Sequence, residues 1–174
     1  MPSSTHAVTA VLDDDVLVVN RVIGVLRRRN LALSGLGVGP AQPGALRLSF
    51  FVDTDEANAE RVLRQIEKAH GVREVAVIPA DAAVAREVVL ARVRAGPADR
   101  AAVRATVADH HARIVDEGPD TLLVEGAGER AAMTQLVEAL ERFGVLELAR
   151  SCVLLPRRAA GAARTHTQPS EAVL

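Results

Sequence analysis

The apolar positions between His6 and Val38 change their period twice, and each change marks the border of an element. His6 to Leu12 alternates, as a strand with one covered face does. Asp13-Asp14-Asp15 interrupts the alternation, and Val19, Val22, Ile23 and Leu26 then fall at i, i+3, i+4 and i+7, one helical stripe that must lie on a sheet. Arg27-Arg28-Arg29 closes that helix. Acidic residues at its start and basic ones at its end both complement the helix dipole. Asn30 stands where a left-handed residue stops a helix, and Leu31 to Val38 reads as the next strand. A strand-to-helix turn of this kind turns backbone N–H groups outward, a natural seat for a small carboxylate.

The same reading continues down the chain. Gly39 to Gly44 is a turn cluster, and Ala45 to Val52 alternates as a strand. Asp53-Thr54-Asp55-Glu56 supplies the short acceptors that open a helix, Val62, Leu63 and Ile66 mark its buried stripe, and His70-Gly71 ends it. Val72 to Ile78 is a short strand closed by Pro79, and Ala80 to Ala85 connects to a second round. That round has a strand over Glu87 to Arg94 and a helix over Ala98 to His111, with Val103, Thr106, Val107 and His110 on one side. Strands follow over Ala112 to Asp116 and Thr121 to Glu125. A helix over Glu129 to Phe143 buries Met133, Leu136, Val137 and Leu140, and a last strand runs from Val145 to Leu155. The pattern predicts an α+β chain of two tandem ferredoxin-like βαββαβ units, an internal duplication. Residues 158–174 show no periodicity and read as a loose tail.

Both helices of such a unit cover one face of its sheet. Phe50 and Phe51 are consecutive and point to opposite faces, so at least one of them should find its cover in the other unit or in another subunit.

Composition narrows the function classes. The 174 residues carry 21 basic and 22 acidic side chains, a balance that does not point to nucleic acid or an anionic membrane. Three phenylalanines are the only aromatics, too few for a base-stacking sheet. No apolar run approaches the roughly 20 residues that span a bilayer, and the first residues lack the pattern of a signal peptide. The single cysteine, Cys152, cannot form an internal disulfide, which suits the cytoplasm.

Candidate chemistry is sparse, with no nucleophile–base–acid set in view. His110-His111 with Asp109 and Asp116 could suggest a metal, but adjacent helical residues diverge by about 100°, so one packed and one solvated histidine is the better reading. Gly35, Gly37 and Gly39 lack the following helix of a dinucleotide fingerprint and read as bulge or close-packing glycines. Gly126-Ala127-Gly128 precedes a helix and could hold an anion, though a strand-to-helix turn explains it equally well. Cys152 reads as a buried structural thiol. Arg27-Arg28-Arg29 reads as a solvated helix end, with partner docking as the lesser alternative.

Certain phrases resemble a known family. Arg21-Val22-Ile23-Gly24-Val25-Leu26, Arg28-Arg29-Asn30-Leu31 and Leu36-Gly37-Val38-Gly39-Pro40 resemble an ACT domain, and more closely the first domain of acetolactate (acetohydroxyacid) synthase small subunits. Arg86-Glu87-Val88-Val89-Leu90, Ile114-Val115-Asp116 and Glu147-Leu148-Ala149-Arg150-Ser151 resemble that subunit's carboxy-terminal domain. The resemblance implies an ACT domain over residues 6–79 and a second ferredoxin-like domain over 85–157. It implies a non-catalytic subunit, a homodimer through its ACT domains, that binds and activates the synthase catalytic subunit. Thiamine diphosphate, magnesium and FAD would belong to that partner, leaving this chain with no cofactor or metal of its own.

In many such subunits valine or another branched-chain amino acid acts as a feedback effector, held between ACT domains by the turn after the first strand and the start of the second. The positions here are Asp14, Asp15, Val16, Leu17, Ala32 and Leu33. Leu17 stands where the family usually has Gly, and Ala32 where it usually has Asn. Leu17 puts a Cβ and an isobutyl group where the ligand's backbone approaches. Loss of the Asn partner costs on the order of 1–3 kcal/mol if a ligand group is left unpaired. The three aspartates also repel a carboxylate. Valine feedback is therefore expected to be weak or lost. Two other readings stand beside this one: a free-standing tandem ACT sensor of another small molecule, and a small enzyme on a ferredoxin-like scaffold.

Overall fold

The computed structural model describes residues 4–29, 31, 33–79, 83–151, 153–156 and 164–167. Its elements run β1 (Ser4–Asp13), α1 (Val16–Arg28), β2 (Leu33–Pro40), β3 (Ala45–Thr54), α2 (Glu56–Glu67), β4 (Val72–Pro79), β5 (Ala83–Arg94), α3 (Arg100–Asp109), β6 (Arg113–Glu117), β7 (Thr121–Gly128), α4 (Arg130–Glu141), β8 (Val145–Arg150), β9 (Val153–Pro156) and β10 (Arg164–Thr167). The strand orders β4-β1-β3-β2 and β8-β5-β7-β6 are the same topology repeated, so the α+β fold of two ferredoxin-like units holds. The chain divides into two compact units, residues 1–84 with 154–174, and residues 85–153. No helix among the described residues is long and apolar enough to cross a membrane.

In the first unit Val8, Ala10 and Leu12 of β1 and Leu48, Phe50 and Val52 of β3 face one way and meet α1 and α2. The period of two is what makes this possible: every second residue of each strand lands on the helix side. Asp55 caps α2 by accepting from the N–H of Asn58 at 2.9 Å. The second unit repeats the scheme, with Val89, Ala91 and Val93 of β5 under Val103 and Val107 of α3 and Met133, Leu136 and Leu140 of α4.

Several expectations need correction. The stripe of α1 is centred on Val18, Val22, Val25 and Leu26, with Val19 and Ile23 on its flank. At 100° per residue the buried arc is turned by about 60° from the expected one. Ile23 is turned toward α2 and partly exposed, which the single-helix pattern does not encode. Phe51 is 3% exposed, buried on the far face of the sheet opposite Ala7. Gly126 and Gly128 lie inside β7 rather than in a turn. A Cβ on Gly126 would collide with Leu136 and meet the Met133 sulfur at 3.1 Å, so this glycine lets α4 approach the sheet.

The last strand is broken into β8 and β9, and Arg164–Thr167 of the tail pairs antiparallel with β4. Four mostly polar residues show no periodicity by themselves, but the edge of β4 offers a row of free backbone partners. The rest of the tail, the connection at 80–82, Asn30 and Cys152 lie outside the described residues. Other expectations hold. Gly35, at φ +64, sits in a register shift of β2 between Ser34 and Gly37, which makes it a bulge glycine. His110 is half-buried and His111 exposed.

Gly71 shows how tightly the first unit's end is fastened. It has φ +87, and a Cβ there would fall 2.5 Å from Cγ2 of Val18 and 3.2 Å from a carboxylate oxygen of Asp13. Gly71→Ala is expected to destabilise the fold by about 2–4 kcal/mol, the sum of left-handed strain and overpacking. Urea unfolding followed by circular dichroism measures this.

Candidate functional site

The acidic turn is a knot of backbone and side-chain bonds. Asp13 N–H donates to the Gly71 carbonyl at 2.8 Å, Asp14 N–H to the Gly44 carbonyl at 3.2 Å, and Asp15 N–H to the Asp13 carbonyl at 2.7 Å. Arg73 donates from Nε to the Asp13 carboxylate at 2.6 Å and from Nη2 to the Gly44 carbonyl at 2.7 Å. The turn is thereby tied both to the start of β4 and to the β2–β3 loop. Asp15 is the N-cap of α1, its carboxylate accepting from Leu17 N–H at 2.8 Å.

This arrangement redistributes the roles of the three aspartates. Asp13 is neutralised by Arg73, and Asp15 is engaged by the helix start it caps. Asp14 is exposed and has no side-chain bond among those described. One of the N–H groups that could receive a ligand carboxylate, that of Leu17, is already taken by Asp15. Val16 and Leu17 project outward, 75% and 57% exposed. The mouth of the turn is thus lined by two bulky apolar side chains and a free carboxylate.

The second half of the predicted site lies elsewhere. Ala32 is outside the described residues, and Leu33 packs its half-buried side chain against the helix-side core. The register puts Leu33 opposite Val52 and Asp13 opposite Ala45, at the two ends of β3. Seven residues of strand separate these levels, about 23 Å at roughly 3.3 Å per residue. Within one unit, therefore, the turn and the start of β2 do not meet.

The second unit carries a feature the sequence pattern missed. Glu87 is 3% exposed, and its carboxylate is held by the Arg150 guanidinium, with Arg130 Nε at 3.8 Å. Beside it, Val88 N–H donates to the Ser151 hydroxyl at 3.0 Å and Ser151 N–H to the Val88 carbonyl at 2.9 Å. Two of the phrases that carry the family resemblance, around Glu87 and around Arg150, are thus one clamp between β5 and β8. A buried carboxylate of this kind is stable only with its cation in place. The signal available in the sequence was a Glu opening the apolar run Val88-Val89-Leu90, and a matching Arg some 60 positions on. Among the described residues no group of His, Cys, Asp and Glu could hold a metal ion.

Comparison with known proteins agrees with these phrases. Residues 86–155 match the family described as small subunit of acetolactate synthase. The acetolactate synthase small subunit of Mycobacterium leprae is 31% identical over 151 residues, covering 86% of this chain and 89% of that one. Acetolactate synthase small subunit 2, chloroplastic, of Arabidopsis thaliana is 30% identical over 153 residues, 88% of this chain; the chain spans only 32% of that longer protein. The crystal structure of the Thermotoga maritima acetolactate synthase small subunit superposes with a TM-score of 0.79 at 26% identity, over 88% of this chain and 97% of that one.

Proposed function

We propose, since this chain belongs to the acetolactate synthase small-subunit family and is a regulatory subunit of that enzyme, that it binds and activates the catalytic subunit while reading valine weakly or not at all. It carries out no reaction of its own. Thiamine diphosphate, magnesium and FAD belong to the catalytic partner, and the pair works in the cytoplasm. The observation that carries the assembly role is the match over both units to small subunits of similar length. Family membership also disfavours the reading as a free-standing sensor.

The chain works as a homodimer through its first unit. Two facts support this. β10 occupies the outer edge of β4, which leaves β2 as the open edge of that sheet among the described residues. Leu36 and Val38 on this edge strand are 46% and 49% exposed, an apolar edge of the kind that pairs with another strand. An antiparallel β2–β2 pairing would bring the acidic turn of one protomer level with the start of β2 in its partner, where the family's effector site is built.

Loss of effector response follows from the turn. Leu17 fills the approach, Asp15 occupies its N–H, and Asp14 opposes an incoming carboxylate. Isothermal titration of the purified chain with valine, leucine and isoleucine is expected to show no binding tighter than millimolar; a micromolar constant for any of the three would overturn this part. A tagged copy of the chain is expected to co-purify the much larger catalytic subunit. Recovery of the tagged chain alone, with both proteins folded, would contradict the assembly role.

A further inference from the structure

The cations of the first unit are unevenly placed. None of the ion pairs among the described residues uses Arg21, Arg27, Arg28 or Arg29 of the α1 region, or Lys68, the chain's one lysine. Nine other arginines are paired with carboxylates in the same set, of which Arg64 and Arg73 lie in the first unit; Arg47 and Arg61 of that unit also use no ion pair there. Four of the cations without an ion pair line an open groove of about 740 Å³ between α1 and α2: Arg21, which donates to the His70 carbonyl at 3.3 Å, Arg27, Arg28 and Lys68.

Ile23, Gly24, Val25 and Ala69 also line the groove, together with the amides of Asn20 and Gln65, and no carboxylate lines it. A Cβ on Gly24 would meet nothing closer than Nη1 of Arg28, at 3.5 Å, an ordinary contact. The helix dipole accounts for a cation or two in the last turn of α1. It does not account for Arg21, half a helix earlier, nor for three consecutive arginines that repel one another, because the effect fades within one turn.

We propose that this groove is the docking site for an acidic segment of the catalytic partner. The reading rests on the assembly role above and adds the surface and its chemistry. Arg21 and Arg28 stand seven residues apart, about 10 Å along the helix at 1.5 Å per residue. Cations spread along an open trough match carboxylates spaced along a peptide. A compact phosphate would need them converging on one point, and no aromatic ring is present to stack a nucleotide base. The partly apolar floor takes a side chain between those carboxylates, and charge complementarity steers the encounter.

The test compares the full chain with two triple variants. One is reversed (Arg27→Glu, Arg28→Glu, Lys68→Glu), and one is neutral (Arg27→Gln, Arg28→Gln, Lys68→Gln), which guards against misfolding by the new charges. Each is titrated with the catalytic subunit at low and high salt, with circular dichroism and native mass recorded alongside. The neutral variant is expected to bind at least tenfold more weakly at low salt, the reversed one more weakly still, both with a flatter salt dependence and unchanged native mass. Binding equal to the unaltered chain overturns the groove assignment and leaves the regulatory reading intact. If the unaltered chain itself fails to bind, the regulatory reading falls and the proposal with it. Loss of the homodimer in the variants would assign the groove to a second copy, and millimolar or tighter binding of ATP with normal synthase binding would assign it to a small anion. Either result overturns the proposal.

Discussion

A pleated strand shows its side chains to two sides, but a βαββαβ unit brings only two helices, and they lie on the same side. Each unit must therefore leave one sheet face to be covered by something else or made polar. The two units of this chain meet the demand differently. In the first, Ala7, Thr9, Val11, Phe51 and Ile78 on the far face are all buried. In the second, Val88 and Leu90 on the corresponding face stay 43% and 39% exposed. Arg92 lies across that open face, bridging Glu147 at 3.1 Å and Asp116 at 3.7 Å. Such exposed pairs stabilise little, at most about 1 kcal/mol each. They do keep the face wettable where the first unit's is dry.

The same constraint governs the edges. β10 lies against β4, while β2 is, among the described residues, left open and apolar. A chain built this way has more surface looking for a partner than its own helices can cover, which suits a protein whose work is to bind other polypeptides. The clamp of Glu87 and Arg150 lies on the opposite, helix-covered face. It fastens β8 to β5 at one edge by charge, beside Arg130 and Thr134 of α4.

How much of this was legible in the sequence depends on the range of the interaction. Strand and helix periods, the cap at Asp55, the stop at Gly71 and the bulge at Gly35 are local, and they read correctly. The rotation of α1 depends on where α2 lies, which no single-helix pattern records. Gly126 looked like a loop because its real reason, the approach of Leu136 ten residues later, is a packing contact. The β10 pairing was hidden because a short polar strand takes its order from the edge it joins. For the effector turn, sequence gave the residues and structure gave their occupation: Asp13 held by Arg73, Asp15 spent on the cap, Asp14 free. The separation of the turn from Leu33 follows from strand register alone, yet it becomes visible only when the strands are laid side by side. The groove of Arg21, Arg28 and Lys68 likewise joins residues some 40 positions apart.

Acetolactate synthase turnover by the catalytic subunit, measured as this chain is added at fixed substrate, tests the account most directly. Activity should rise to saturation at a defined ratio of the two proteins and stay there when millimolar valine is added. A rate indifferent to the chain would contradict the regulatory role, and a rate that climbs and is then suppressed by micromolar valine would contradict the blocked turn.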